Sequence, residues 1–188
     1  MASLMIHLLV GQEYCKTHQV EDEEAFLKGN LAPDLVADKA PTHYTKVCRN
    51  KNYTESISNK VNLPAFCADH ELDSDFVRGK FLHLITDYAF FSQYLVNNEK
   101  YLSYDNENIL LIHKVLYRDY HRVNDWLMKS YDGLRLDLIP DDMKETRTDD
   151  MEILSKEAIE RLVAICSEVN LDKAYANYRA LSKDNEGM

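Results

Sequence analysis

Residues 81–91 read FLHLITDYAFF, and the fold turns on how this stretch is read. At roughly 100° per residue, a helix through it points Phe81, Leu82, Leu84, Ile85, Tyr88, Ala89, Phe90 and Phe91 in every direction. A helix that is apolar all round is a central, buried one. Yet the stretch also carries His83 and Asp87. Their i, i+4 spacing lets the two side chains converge on one point. A carboxylate buried without a partner loses several kcal/mol or gives up its charge. Two readings meet that cost. The pair can satisfy itself by mutual hydrogen bonding, or it can share a cation, since neutral imidazole nitrogen and carboxylate oxygen are both ordinary zinc ligands.

Working outward, Asp73 or Ser74 can cap this helix, which the pattern extends from about 75 to 97. The rest of the chain reads the same way. Helices are expected over 3–18, 22–31, 63–72 with Pro64 in its first turn, and 106–131 closed by Gly133. Two terminal helices follow near 151–168 and 171–182. The stretch 38–60 is polar and aperiodic, hence loop. No segment sustains period-two alternation, and 5 Gly and 4 Pro in 188 residues suit long helices better than a turn-rich β fold. The expectation is an all-α, single-domain helical bundle over 1–188.

A net charge of −10 argues against a nucleic-acid-binding surface, which shows a basic patch. It disfavours adsorption to anionic membranes and suits a site for metal cations. No apolar run is long enough to span a bilayer. The four cysteines, Cys15, Cys48, Cys67 and Cys166, have neither zinc-finger nor redox spacing. With no export signal in MASLMIHLLVGQEYC, they read as reduced thiols of a cytoplasmic protein.

The 106–131 helix adds a second misplaced charge. Ile112, Val115, Leu116, Val123, Trp126 and Leu127 share one face, and Asp119 falls in its middle, where patterning demands an apolar residue. Such a carboxylate is either paired with Arg or Lys or bound to a cation. His121 points away from the stripe, while His113, Tyr117, Tyr120 and Asn124 run along its flank. His7 lies among Ile6, Leu8, Leu9 and Val10, as a satisfied core histidine or as a ligand. Asp34 follows Pro33, a turn or cap residue on its own. His43 stands in a loop, and Cys67 with His70 lacks a second such pair.

Taken in order, MIHLLVG, FLKGNLAPDL, THY and GKFLHLITDYAFF resemble the zinc-dependent phospholipase C family, including its compact cytosolic bacterial relatives. The resemblance covers roughly residues 1–130. It implies an all-helical bundle, a fold also used by certain single-strand nucleases, with metal ligands scattered along the chain. By position, His7, Asp34, His43, His83 and Asp87 match the family's ligands, Asp87 being the carboxylate that can bridge two metals. Two departures stand out. Gln93 replaces the histidine expected six residues after that aspartate, and no processed N-terminus is in evidence. The match of His121 and Asp125 to the family's later histidine and carboxylate conflicts with the wheel, which prefers Asp119. The implied centre holds one or two zinc ions, or another divalent metal.

The function expected is that of a metal-dependent hydrolase of phosphate esters, diester or monoester, phospholipids included, acting through a metal-activated water. Asp34 or Asp119 would serve as general base. Tyr88, Tyr117, Tyr120, Asn124 and His113 would line the pocket for a small phosphate-ester substrate. The alternative is a non-catalytic helical protein with a structural metal or a partner-binding role. The adjacent His-Asp pair of another phosphohydrolase class is lacking; the chain has only the reversed Asp69–His70.

Overall fold

The computed structural model describes residues 2–45, 61–92 and 111–185, and within them all side chains except those of 111–114 and 184–185. The chain is all-helical: α1 (Leu4–Thr17), α2 (Glu23–Leu31), α3 (Leu63–Asp69), α4 (Asp75–Phe90), α5 (Leu111–Ser130), α6 (Lys156–Ser167) and α7 (Leu171–Asn185), with no strand among the described residues. Short 3-10 turns cover Ala32–Asp34, Leu136–Leu138 and Asp141–Met143. Residues 46–60, 93–97 and 106–110, part of the expected loop and helices, lie outside the described residues.

Local chemistry sets the helix starts. Ser3, Asp22, Asn62, Ser74 and Ser155 each accept a hydrogen bond from a backbone N–H three residues on, relieving a donor that the first turn leaves orphaned. Ser74, not Asp73, is the cap of α4. Asp75 has a different task, accepting the N–H groups of Glu21 and Asp22 and so fixing the entry to α2. Gly133 adopts φ +80° just beyond α5, where the chain reverses as glycine allows.

α4 is the central helix, as its composition predicts. Phe81, Leu82, Leu84 and Phe90 are all fully buried, packed against α2 on one side and α6 and α7 on others. The contact with α2 is made backbone to backbone. A Cβ added at Gly29 would meet the Phe76 carbonyl oxygen at 2.0 Å, and one at Gly79 would meet that of Phe26 at the same distance. Only glycine permits this approach. It is what brings the end of α2 against His83. Stacked rings add to an otherwise mainly aliphatic core: Phe66 stacks on Phe81 at 5.4 Å and Tyr14 on Phe26 at 5.1 Å.

One boundary is a correction. The helix expected from 151 begins at Lys156, because the backbone N–H groups of Glu152, Ile153 and Leu154 are drawn instead to the carboxylate of Asp119. Among the described residues no helix is long and apolar enough to cross a membrane. Cys15, Cys67 and Cys166 are free thiols.

Candidate metal centre

Four separate pieces of chain deliver the site. α1 presents His7. The 3-10 turn after α2, built around Pro33, presents Asp34. A tight turn over 40–44 presents His43, and α4 presents His83 and Asp87. All five side chains are buried, and His7, His83 and Asp87 have no exposed surface at all. The turn bearing His43 is strained: Tyr44 takes φ +55°, which costs a residue other than glycine about 1–3 kcal/mol. The Tyr44 ring offsets this by packing edge-on against Phe66 at 5.7 Å.

Asp87 lies at the centre. Its Oδ1 is 3.3 Å from His7 Nε2 and accepts the Ala2 backbone N–H at 2.7 Å. Its Oδ2 is 3.3 Å from His43 Nε2 and 3.7 Å from His83 Nε2. His43 Nε2 is also 3.0 Å from His83 Nε2 and 3.7 Å from Asp34 Oδ1. The His7 and His83 rings stack, centroids 3.7 Å apart.

The tautomers make this arrangement informative. His83 Nδ1 lies 2.8 Å from the Asn30 carbonyl oxygen, and His43 Nδ1 lies 2.9 Å from that of Lys39. A carbonyl only accepts, so each Nδ1 carries the hydrogen, and in the neutral ring each Nε2 then offers a lone pair. Two lone pairs thus face each other at 3.0 Å, with carboxylate oxygens beside them. Among the described residues His7 Nδ1 and Nε2, Asp34 Oδ1 and Asp87 Oδ2 make no aligned hydrogen bond at all. Converging acceptors without donors repel unless a cation joins them. A backbone carbonyl behind each imidazole is also the arrangement that orients a ligating histidine.

The spacing fits as well. Ligand atoms about 2.0–2.1 Å from a tetrahedral zinc lie about 3.3 Å from one another, and the separations here run from 3.0 to 3.7 Å. Two overlapping groups can hold an ion, His7 with His83 and Asp87, and Asp34 with His43 and His83. The residues present therefore fit a divalent metal.

Electrostatics prepare the ligands in the forms a metal requires. Burial, then the adjacent His7, push the pKa of His83 down to about 3 from 6.5, so its imidazole stays neutral. Burial works against the charge on Asp87, but surrounding positive charge, together with the His43 and His7 rings 3.3 Å from its oxygens, more than offsets it and holds the carboxylate well below its usual range. Both shifts make the metal-free chain sensitive to acid. Between about pH 6.5 and 3 the unfolded chain protonates His83 while the folded chain does not, so stability falls on acidification, by up to about 1.4 kcal/mol per pH unit. Asp87 adds a loss of the same sign below its ordinary pKa. Urea denaturation of metal-free protein from pH 7 to pH 4 checks this, and a flat or rising stability contradicts it.

The other nominated residues lie elsewhere or play other parts. Asp119 is fully buried in the α5 stripe, and its partner is not among the centre's residues. It pairs with Arg122 at 2.8 Å and accepts the N–H groups of Glu152, Ile153 and Leu154 at 2.8–2.9 Å. With both oxygens engaged it has no free lone-pair direction for a metal or a catalytic proton. Asn124 likewise turns away, its amide donating to the Met143 and Glu145 carbonyls. Tyr120 does feel the centre: burial, then the negative charge of Asp87, push its phenol well above the usual tyrosine range. Tyr117 is exposed and meets the Tyr120 ring edge-on at 5.8 Å. Tyr88 is exposed on α4. His121 is half-buried beside Glu145, and Asp125 pairs with Lys129. The His113 side chain and Gln93 lie outside what the structure describes.

Two residues at the centre escape the sequence reading. Asn30 is fully buried; its carbonyl orients His83 and its amide donates to the His7 carbonyl at 2.5 Å. Lys39 reaches Asp34 Oδ1 at 2.8 Å. Comparison with family models, with curated proteins and with solved structures finds no match to this chain.

Proposed function

We propose that this chain is a metal-dependent hydrolase of phosphate esters, related in kind to the zinc-dependent phospholipases C, with one or two zinc ions bound by His7, Asp34, His43, His83 and Asp87. The observation that carries this reading is the knot of buried acceptors, His43 Nε2, His83 Nε2 and Asp87 Oδ2, that face one another within 3.0–3.7 Å. A divalent ion held there would supply Lewis acidity, the chemistry that makes water nucleophilic near neutral pH and stabilises charge on a phosphoryl oxygen.

The chain's own residues divide the remaining tasks. Asn30 and Lys39, through their carbonyls, keep the His83 and His43 rings aimed inward. Asp34 stands at the rim, slightly exposed where His83 and Asp87 are not. It is the carboxylate placed to take a proton from attacking water. Tyr120, close enough for the charge of Asp87 to raise its pKa, is a neutral phenol beside the centre. A small, soluble diester or monoester suits so enclosed a centre.

A second reading, a structural ion without catalysis, draws on the complete burial of His7, His83 and Asp87, since structural zinc sites are closed and catalytic ones keep an open position. One experiment separates the two. Zinc-loaded protein is assayed on bis(p-nitrophenyl) phosphate and p-nitrophenyl phosphate beside Asp34→Asn. The hydrolase reading expects turnover that falls by about 100-fold or more in the variant, compared per bound zinc ion. Zinc-loaded wild type that hydrolyses neither ester leaves the structural ion.

A further inference from the structure

The two ligand groups cannot both be filled as they stand. Both require His83, and His83 has a single free nitrogen, because its Nδ1 is committed to the Asn30 carbonyl. An ion bound with His7 and Asp87 therefore takes the only lone pair His83 has to give. What remains for a second ion is His43 and Asp34, and there a cation already stands. The Lys39 ammonium lies 2.8 Å from Asp34 Oδ1, the carboxylate oxygen that faces His43 Nε2 at 3.7 Å.

We infer that Lys39 is the second cation of this centre: its ammonium, resting on Asp34, makes the site one that takes a single tight divalent ion. The inference rests on the metal-centre reading above but not on catalysis. Three features of Lys39 fit the task. It belongs to the same turn as His43, whose Nδ1 its own carbonyl holds at 2.9 Å, so imidazole and ammonium are positioned by one piece of backbone. Its contact with Asp34 is close without the alignment of a hydrogen bond, a Coulomb pairing that an ion can replace. About a third of its side chain is exposed, so the ammonium can move outward into water. Charge accounting points the same way. Asp34 and Asp87 contribute two negative charges among neutral imidazoles, so one divalent ion and Lys39 leave the centre with one net positive charge. Two divalent ions beside Lys39 would leave three positive charges in a buried volume, and removing Lys39 lowers that to two. The single positive charge suits the monoanion of a phosphodiester.

The test is the zinc content of chelator-treated full-length chain after equilibrium dialysis against excess zinc, for wild type, Lys39→Met, Lys39→Arg and the double variant Asp34→Asn with Lys39→Met. The expected result is one zinc per chain in wild type and Lys39→Arg, two in Lys39→Met, and a return to one in the double variant, which has lost the carboxylate charge that the second ion needs. Lys39→Gln replaces Lys39→Met should the latter melt below wild type without metal. Two zinc ions in wild type overturn the inference, as does one in both Lys39→Met and Lys39→Gln. Wild type that binds no zinc overturns the metal-centre reading itself, a distinct failure.

Discussion

Asp87→Ala is expected to weaken zinc binding by more than about 100-fold, beyond the 10–100-fold that loss of an outer-shell partner brings. Among the described residues only Asp87 turns one oxygen to His7 and the other to His43 and His83. Its removal leaves three imidazoles with no shared anion. The metal-free protein suffers as well. The Ala2 N–H loses its acceptor at 2.7 Å, and His7 loses its nearest carboxylate in a fully buried site. Breaking a buried charged network from one side typically costs about 3–5 kcal/mol, and urea denaturation without metal reads that cost directly. Asp87→Asn separates the two effects. It keeps the shape and returns part of the stability, while zinc uptake stays low because a neutral amide oxygen is a poorer ligand than a carboxylate. Zinc binding by Asp87→Ala within a few-fold of wild type would remove Asp87 from the centre.

Asp119→Ala should be about as destabilising and leave zinc binding untouched. The Asp119 carboxylate ties α5 to the segment before α6 through three backbone N–H groups, and it also pairs with Arg122. Hydrogen bonds to charged groups contribute about 1.5–3 kcal/mol each, and orphaned donors add to the loss. Arg122 keeps Asp149 and Glu152 as partners, which limits the total to about 3–5 kcal/mol. The contrast matters more than either number. One buried aspartate governs metal and stability together, the other stability alone. A drop in zinc affinity of tenfold or more in folded Asp119→Ala would return Asp119 to the metal centre.

The pair of aspartates also marks how far the sequence could be read. Both were legible as anomalies, because each stands where helical periodicity requires an apolar side chain, and both are fully buried. The partner was the harder question. For Asp87 it lay in the ordered set of His7, Asp34, His43 and His83, residues whose joint order is specific although each piece is common. For Asp119 the nearer clue was Arg122, three residues on along the same helix, which the wheel passed over. The three backbone donors from 152–154 were invisible, since a main-chain N–H has no letter of its own. Asn30 was hidden for the same reason: what orients His83 is its carbonyl. Lys39 sat in a polar loop, where a lysine is unremarkable until the chain closes and brings it onto Asp34. Gly29 and Gly79 did carry a signal. Glycine inside a helix costs about 1 kcal/mol against alanine, and such a position commonly has a packing reason. Here the reason is the close approach of α2 and α4 that puts Asn30 beside His83.

X-ray absorption at the zinc edge, on protein loaded with one equivalent of zinc, tests the centre most directly. Imidazole nitrogens and a carboxylate oxygen at about 2.0–2.1 Å, with the outer-shell scattering of at least two histidine rings, are the predicted result, and Asp87→Ala should abolish that spectrum. A zinc ligated mainly by water, by sulfur or by surface carboxylates, or a spectrum unchanged in Asp87→Ala, would contradict the assignment of this buried histidine and aspartate cluster to a metal.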